Sequence, residues 1–305
     1  MELSRRRFMQ AAGAVVAGGA LDIGLPALAR ASTAPIPLPG TPSIYSGWTK
    51  VPLPPGNAMQ CFGFNGSTVY TCQNNADDKA TPKVPSTQLT FSQFKSPSDG
   101  SPAINRFATH SHGGQIGNNG PTIWTPCSNG AKDPVDGHQI TRGDFNPDSD
   151  TFEDETHWSP PLTNPLTVNV NTSNLVVRDG NNKLWVYGLA AVKSSGSGTF
   201  PPSMGSFQIP GSPSNLGYDV TGNWLYWATQ TDAQQDEAKF TVGFHNFVDG
   251  SGDQQAHNMP TISGSSYELE GLAILPDGSK WVVGVNNGFV AGSKTVKSFS
   301  LVTVT

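Results

Sequence analysis

The chain has 305 residues, 18 basic against 23 acidic, only 13% charged side chains, and an abundance of Gly (34) and Pro (25). A formal net charge of −5 argues against nucleic acid or an anionic lipid surface as partner, since both require a basic face. The length suits one large core rather than several small ones.

The first 31 residues read as an export signal rather than as structure. Ser4-Arg5-Arg6-Arg7-Phe8-Met9 precedes a Gly/Ala-rich apolar stretch from Ala11 to Ala29, and Ala29-Arg30-Ala31 is a small-residue cleavage site. Paired arginines before a bulky apolar residue match the twin-arginine signal. Asp22, Gly24 and Pro26 interrupt the stretch, so a stable membrane-spanning helix is not expected. Removing residues 1–31 takes away Arg5, Arg6, Arg7 and Arg30 against Glu2 and Asp22, leaving 14 basic and 21 acidic residues, a net of −7. The expectation is a bacterial protein that is secreted or wall-associated, without membrane insertion, and monomeric.

Residues 32–56 are Pro-rich (APIPLPGTP, then KVPLPPG) and read as an extended lead-in or closing strand. From residue 57 to 305 one hairpin recurs five times: MQCFGFNGSTVYTCQNN from Met59, GGQIGNNGPTIWTPCSNG from Gly113, NLVVRDGNNKLWVYGLAA from Asn174, NLGYDVTGNWLYWATQTD from Asn215 and EGLAILPDGSKWVVGVNNG from Glu270. Each is an apolar strand, a turn, and a second strand led by an aromatic. The aromatics Tyr70, Trp124, Trp185, Tyr226 and Trp281 fall at intervals of 54, 61, 41 and 55 residues. Each interval has room for about four strands, one propeller blade. Between the hairpins lie further alternating segments (88–95, 105–112, 138–145, 239–247 and 294–305), separated by NG, DG, PSDG, NPDSD and DGSGD turns. No window carries a helical period with caps. The predicted fold is all-β, a single-domain five-bladed β-propeller in which the strand at 294–304 closes the ring beside the N-terminal segment.

Three cysteines lie beyond the signal. Cys61 and Cys72 are symmetric about Gly66-Ser67, so a hairpin turning there sets them opposite one another and a cross-strand disulfide is geometrically open. A Cys72–Cys127 link between blades is the rival, and three buried thiols the bland reading. Neither a CxxC motif nor a Cys/His set at zinc spacing exists, which disfavours a structural zinc site.

The first two hairpins carry a more specific signature. Met59, Gln60, Phe62 and Phe64, then Val69, Tyr70, Thr71 and Gln73, then His112, Gly113, Ile116 and Gly117 resemble, in that order, the strands of the teichoic-acid biosynthesis protein C-like propellers. The same propeller occurs in phage receptor-binding proteins that attach to wall teichoic acid. Two positions depart from the pattern: Ser111 precedes His112 where the family has Gly, and Cys61 replaces a small polar residue. The resemblance covers about a third of the chain, and it implies a five-bladed propeller that recognises a surface glycopolymer.

Superposing the repeats sets Gln60, Gln115, Asn174, Asn215 and Glu270 at the openings of the inner strands, hence at one channel mouth. Amides both donate and accept, as sugar hydroxyls require, without the desolvation cost of a full charge. The alternative is that these groups bind only one another and trapped water. His110 and His112 share a strand face next to Gln115, and with Glu270, joined by Glu268, they form the candidate acid/base set of a hydrolase or lyase. Against this stands a structural His tying down a Gly-Gly loop. His138, His157, His245 and His257 have no recurring context and read as surface or packing residues. Asp144, Asn146, Asp148, Asp150 and Glu155 fall at calcium-loop spacing, but Ser149 sits where glycine is required, and a turn closing an outer hairpin is simpler. Trp48, Trp158 and Trp227 are candidates for a sugar-stacking platform, Trp124, Trp185 and Trp281 for core between blades. No G-x-S-x-G elbow or cofactor cradle is present. The expected function is binding of a cell-wall glycopolymer or other polysaccharide with no cofactor. The competing readings are a glycan hydrolase or lyase on the same scaffold and a protein-interaction platform.

Overall fold

The structure is a computed structural model. It describes residues 34–38, 40–53, 58–74, 88–100, 103–108, 115–116, 122–126, 140–146, 151–158, 162, 167–170, 173–196, 200–262, 267–275, 277–288 and 298–304. The signal segment lies outside them.

In chain order, β1 (Ser43–Ile44) and β2 (Val51–Pro52) come first, followed by β3 (Met59–Asn65), β4 (Thr68–Asn74), β5 (Gln88–Phe94) and β6 (Ala103–Ala108), which form one antiparallel sheet. The second sheet is β7 (Gln115–Ile116), β8 (Thr122–Pro126), β9 (Ile140–Asn146) and β10 (Thr151–Trp158). The third holds β11 (Thr167–Val170), β12 (Asn174–Arg178), β13 (Lys183–Gly188) and, after helix α1 (Leu189–Ser194), β14 (Gly205–Gln208). Next come β15 (Asn215–Thr221), β16 (Trp224–Gln230), helix α2 (Asp232–Asp236), β17 (Lys239–Asn246) and β18 (Gly252–Asn258). The last sheet is composite: β19 (Tyr267–Ile274), β20 (Trp281–Asn287) and β21 (Ser298–Val304) are completed by β1 and β2, both paired to the far side of β21. The first strand of each sheet touches the first strand of the next, in the cyclic order β3, β7, β11, β15, β19 and back to β3. The arrangement is that of a β-propeller, and among the described residues it is all-β but for two short helices.

Why the strands read as continuous apolar runs follows from this geometry. A sheet packed between two neighbours buries both of its faces. In β12, Leu175 and Val177 enter the core shared with Ile140 and Trp158, whereas Val176 enters the one shared with Tyr218 and Leu225. In β20, Trp281, Val283 and Val285 face Tyr226 and Phe240, while Val282 faces Phe62, Phe94 and Phe299. The aromatics that mark the fourth and fifth repeats meet there, Tyr226 and Trp281 edge to face at 4.8 Å. The Pro-rich lead-in also belongs to this core: Ile36 and Leu38 pack against it, and the Ile36 amide donates to the Tyr226 hydroxyl at 3.0 Å. Burial pushes that hydroxyl's pKa up to about 12.

Three expectations need correction. In the third sheet β12 is the second strand, not the innermost, so the hairpin beginning at Asn174 lies one strand further out than its counterparts. Trp185 therefore sits on a third strand, which explains the long interval before it and the short one after. Its indole packs against the core around Ile140 and Trp158 and donates to Asp179 at 2.9 Å, whose other carboxylate oxygen accepts the Asn181 and Lys183 amides and so fixes the turn. Second, Trp48, Trp158 and Trp227 are buried, at 4%, 1% and 2% exposure, and cannot form an open stacking platform. Third, helices were not anticipated. α2 is too short to show a period, yet Thr231 and Gln234 cap it reciprocally.

Cys61 and Cys72 are direct partners across the β3–β4 ladder, both buried, with no bond between the two sulfurs. The segment from Asp144 to Glu155 spans the β9–β10 hairpin, in which Asn146 pairs with Thr151. Asp148 and Asp150 lie outside the described residues, as does Cys127.

Close approach near the axis depends on glycine. A Cβ on Gly217 of β15 would lie 2.3 Å from the Gly271 backbone of β19, and one on Gly284 would lie 2.6 Å from the Phe62 ring. Gly217→Ala should therefore cost about 1–3 kcal/mol through overpacking against an immovable backbone, read as a lowered urea midpoint; an unchanged midpoint would show that the sheets can move apart.

Candidate functional site

The site is built where the last sheet meets the first. β3 and β19 each carry a bulge at the same point of the strand. Met59 pairs with Gln73 and Cys61 with Cys72, leaving Gln60 out of the ladder. Leu269 pairs with Val285 and Gly271 with Gly284, leaving Glu270 out. A bulge frees one residue from cross-strand pairing and re-aims its side chain, a device common beside binding sites. Neither β15 nor β12 carries one.

Asn286 of β20, fully buried, joins the two strands. Its Oδ1 accepts the Met59 amide at 3.1 Å, and its Nδ2 donates to the Met59 carbonyl at 3.0 Å, to Glu270 Oε1 at 3.1 Å and to Glu268 Oε2 at 3.4 Å. The Glu268 and Glu270 carboxyl groups thus share the Asn286 amide as a common donor. Burial, then the Glu268 charge and its hydrogen bond, hold the Glu270 carboxyl well above the usual carboxylate range, with Asn286 opposing. Glu270 nevertheless keeps accessible surface. Gln60 is half-buried, and its amide makes a long 3.5 Å contact with the Met59 carbonyl, leaving donor capacity for a ligand.

Of the residues expected at the channel mouth, Gln60 and Glu270 are thus brought together on adjacent innermost strands. Asn215 begins β15 and pairs with Gln230, whose Oε1 accepts the Leu269 amide at 3.0 Å, so it belongs to the same neighbourhood. Asn174 does not join them: it is buried at the start of a second strand. Gln115 begins β7, but its side chain is outside the described set. His110 and His112 lie outside the described residues. Of the histidines without a recurring context, His245 stacks on Phe207 at 4.3 Å and His257 packs on Phe240, as packing residues do. Among the described residues no group of three or more His, Cys, Asp or Glu side chains could hold a metal ion.

Sequence reading missed Asn286 and Gln230. The signal that could have found Asn286 is the Asn pair closing two repeats, TCQNN and GVNNG: Asn74 holds in β4 the register position that Asn286 holds in β20.

Comparison with known proteins adds nothing to the fold already described. No family model matches the chain, and no curated protein does. Among solved structures, the complex of KlAtg21 with the coiled-coil of AgAtg16 aligns at TM-score 0.35 and 10% identity, over 76% of this chain and 66% of that one, just under two thirds of its length. A protein assigned as a 6-phosphogluconolactonase from Bacteroides fragilis aligns at TM-score 0.36 and 16% identity, over 79% of this chain and 69% of that one. Neither likeness bears on the chemistry of the site.

Two outcomes are expected. Asn286→Ala strands the buried Met59 amide and carbonyl and should cost about 2–4 kcal/mol in urea unfolding. Glu270 has a folded pKa raised above its ordinary 4.5, so its contribution is fully present below that value and is lost as pH rises toward the folded pKa. Glu270→Gln, which mimics the protonated form, should flatten the fall in the unfolding midpoint above about pH 4.5; an equal fall in both proteins would show that Glu270 is ionised without penalty.

Proposed function

We propose that the protein is a secreted propeller, its five sheets acting as five blades, that binds a cell-surface or extracellular glycopolymer at the axial mouth around Gln60, Asn215, Glu268 and Glu270. The single observation that carries the reading is the pair of matched bulges, which present an amide and a carboxyl side by side on neighbouring inner strands. Burial favours the uncharged form of the Glu270 carboxyl, which donates and accepts like a hydroxyl, and an amide does the same. Neutral groups of this kind meet sugar hydroxyls without paying the desolvation of a full charge. The twin-arginine-like leader and the resemblance of the first two repeats to teichoic-acid-associated propellers support an exported protein and a wall polymer. The acidic balance directs the choice toward neutral or zwitterionic polymers rather than bare polyphosphate.

A second reading, a glycan hydrolase or lyase, is favoured by one observation: two carboxyl groups share one amide donor, and burial raises the pKa of Glu270, as environments do in acid/base pairs. One experiment separates the two. Purified protein is incubated with teichoic acids and a range of polysaccharides, and both binding and polymer length are followed. Binding without shortening is expected, weakened about tenfold by Gln60→Ala and by Glu270→Ala, the loss of one to two hydrogen bonds each. Shortened or unsaturated products would replace the binding reading by the enzymatic one. Silence across all polymers would leave the interaction platform.

A further inference from the structure

The outer edge of the fourth sheet differs from the other outer edges. β18 keeps an unbroken register with β17 from Lys239↔Asn258 to His245↔Gly252, and every side chain except His257 is exposed. By contrast β14 has four residues, β1 and β2 two each, the register of β10 breaks between Glu153 and Thr156, and β6, six residues in unbroken register, carries the cation Arg106. Long edges are ordinarily blunted by lysine, proline or a bulge. β18 has none of these, and Asp253 is its single acid.

Its main-chain polarity can be read from one hydrogen bond. The Gln254 amide donates to its neighbour's Asp253 Oδ1 at 2.8 Å and so points away from β17. By alternation, Gly252, Gln254, Ala256 and Asn258 face outward, while Asp253, Gln255 and His257 bond to β17. An antiparallel strand added to this edge must use the outward set. A two-fold axis beside Gln255 does so without remainder: Gln254 meets Ala256 of the partner subunit, and Gly252 meets Asn258 of the partner subunit. The same register sets Asp253 opposite His257 of the partner subunit, twice. His257 is 7% exposed, and its Nε2 has no hydrogen-bond partner among the described residues. An unpartnered buried nitrogen costs stability, and a carboxylate brought opposite would supply its acceptor. Asp253 is free to move there, because the Gln254 amide it now caps would be taken by a carbonyl of the added strand. Among the described residues only Met204 and Val248 are exposed large hydrophobics, at 48% and 69%. Val248 lies in the turn leading into β18, and Met204 precedes Gly205, which packs on Phe247. Both therefore flank one end of the same edge.

We propose that the protein forms an isologous dimer in which β18 pairs antiparallel with β18 of a second copy about an axis at Gln255. This departs from the monomer that the sequence suggested and is independent of the glycan reading. Sedimentation velocity of the purified protein over rising concentration should show twice the monomer mass. Gln254→Pro removes only an outward amide, and Asp253→Lys removes the acceptor for the partner's His257. Each should raise the dimer dissociation constant at least about tenfold, with the circular dichroism spectrum and glycan binding retained. Should Gln254→Pro misfold, the exposed Asp253→Lys carries the test by itself. A monomer at concentrations up to about 1 mM, or a dimer indifferent to both substitutions, overturns the proposal.

Discussion

The structure depends on how neighbouring sheets are held together near the axis, where among the described residues no main-chain ladder runs between them. Innermost strands of adjacent sheets touch without sharing a β-ladder. Side chains carry the connection instead. Asn169 donates from β11 to the Tyr218 carbonyl of β15. Asp219 accepts the Ile274 amide at 2.8 Å at one end of β19, and Gln230 accepts the Leu269 amide at the other. Asn286 grips both polar groups of Met59. Each link satisfies a buried main-chain group that would otherwise be orphaned, so these side chains are fixed by the backbone they serve.

The last two links also explain the site. Gln230 and Asn286 each seize the residue immediately before a bulge, Leu269 in one case and Met59 in the other. With that residue pinned to the preceding sheet, the next one is displaced from its own ladder and turned toward the axis. The stitching between sheets and the presentation of Gln60 and Glu270 are thus one arrangement. Asn286, which pins Met59, also donates to both Glu268 and Glu270, so one side chain ties the carboxyl pair to the seam.

Much of this was legible from residue patterns, and the failures have physical causes. Alternation and turn chemistry revealed the hairpins, because strands buried on both faces leave apolar runs with Gly, Asn and Asp between them. Closure of the ring by residues near 300 beside the N-terminal segment was likewise visible. The third repeat was mis-set by one strand because NLVVR, buried on both faces as a second strand, has the composition of a first strand. Its true inner strand, TVNV, is only four residues long and has no aromatic follower. Bulges leave no mark in composition, so the common position of Gln60 and Glu270 came from repeat alignment while its cause did not. The burial of Trp48, Trp158 and Trp227 was hidden because a tryptophan at a sheet seam and one on a surface read alike.

The composite last sheet has a consequence for how the chain reaches this state. β21 is held between β20 and the early strands β1 and β2, and the Lys50 amide donates to Ser300 across 250 residues of sequence. Until β21 has been made, β20 lacks its outer neighbour and the seam around Trp48, Phe94 and Phe299 has no third wall. The ring is therefore a late, all-or-none event in synthesis, with sheet edges open throughout the growth of the chain. Such long-range pairing folds slowly and leaves intermediates that aggregate readily. A chaperone that shields those edges until the final strand arrives would govern yield more than any single contact in the finished molecule.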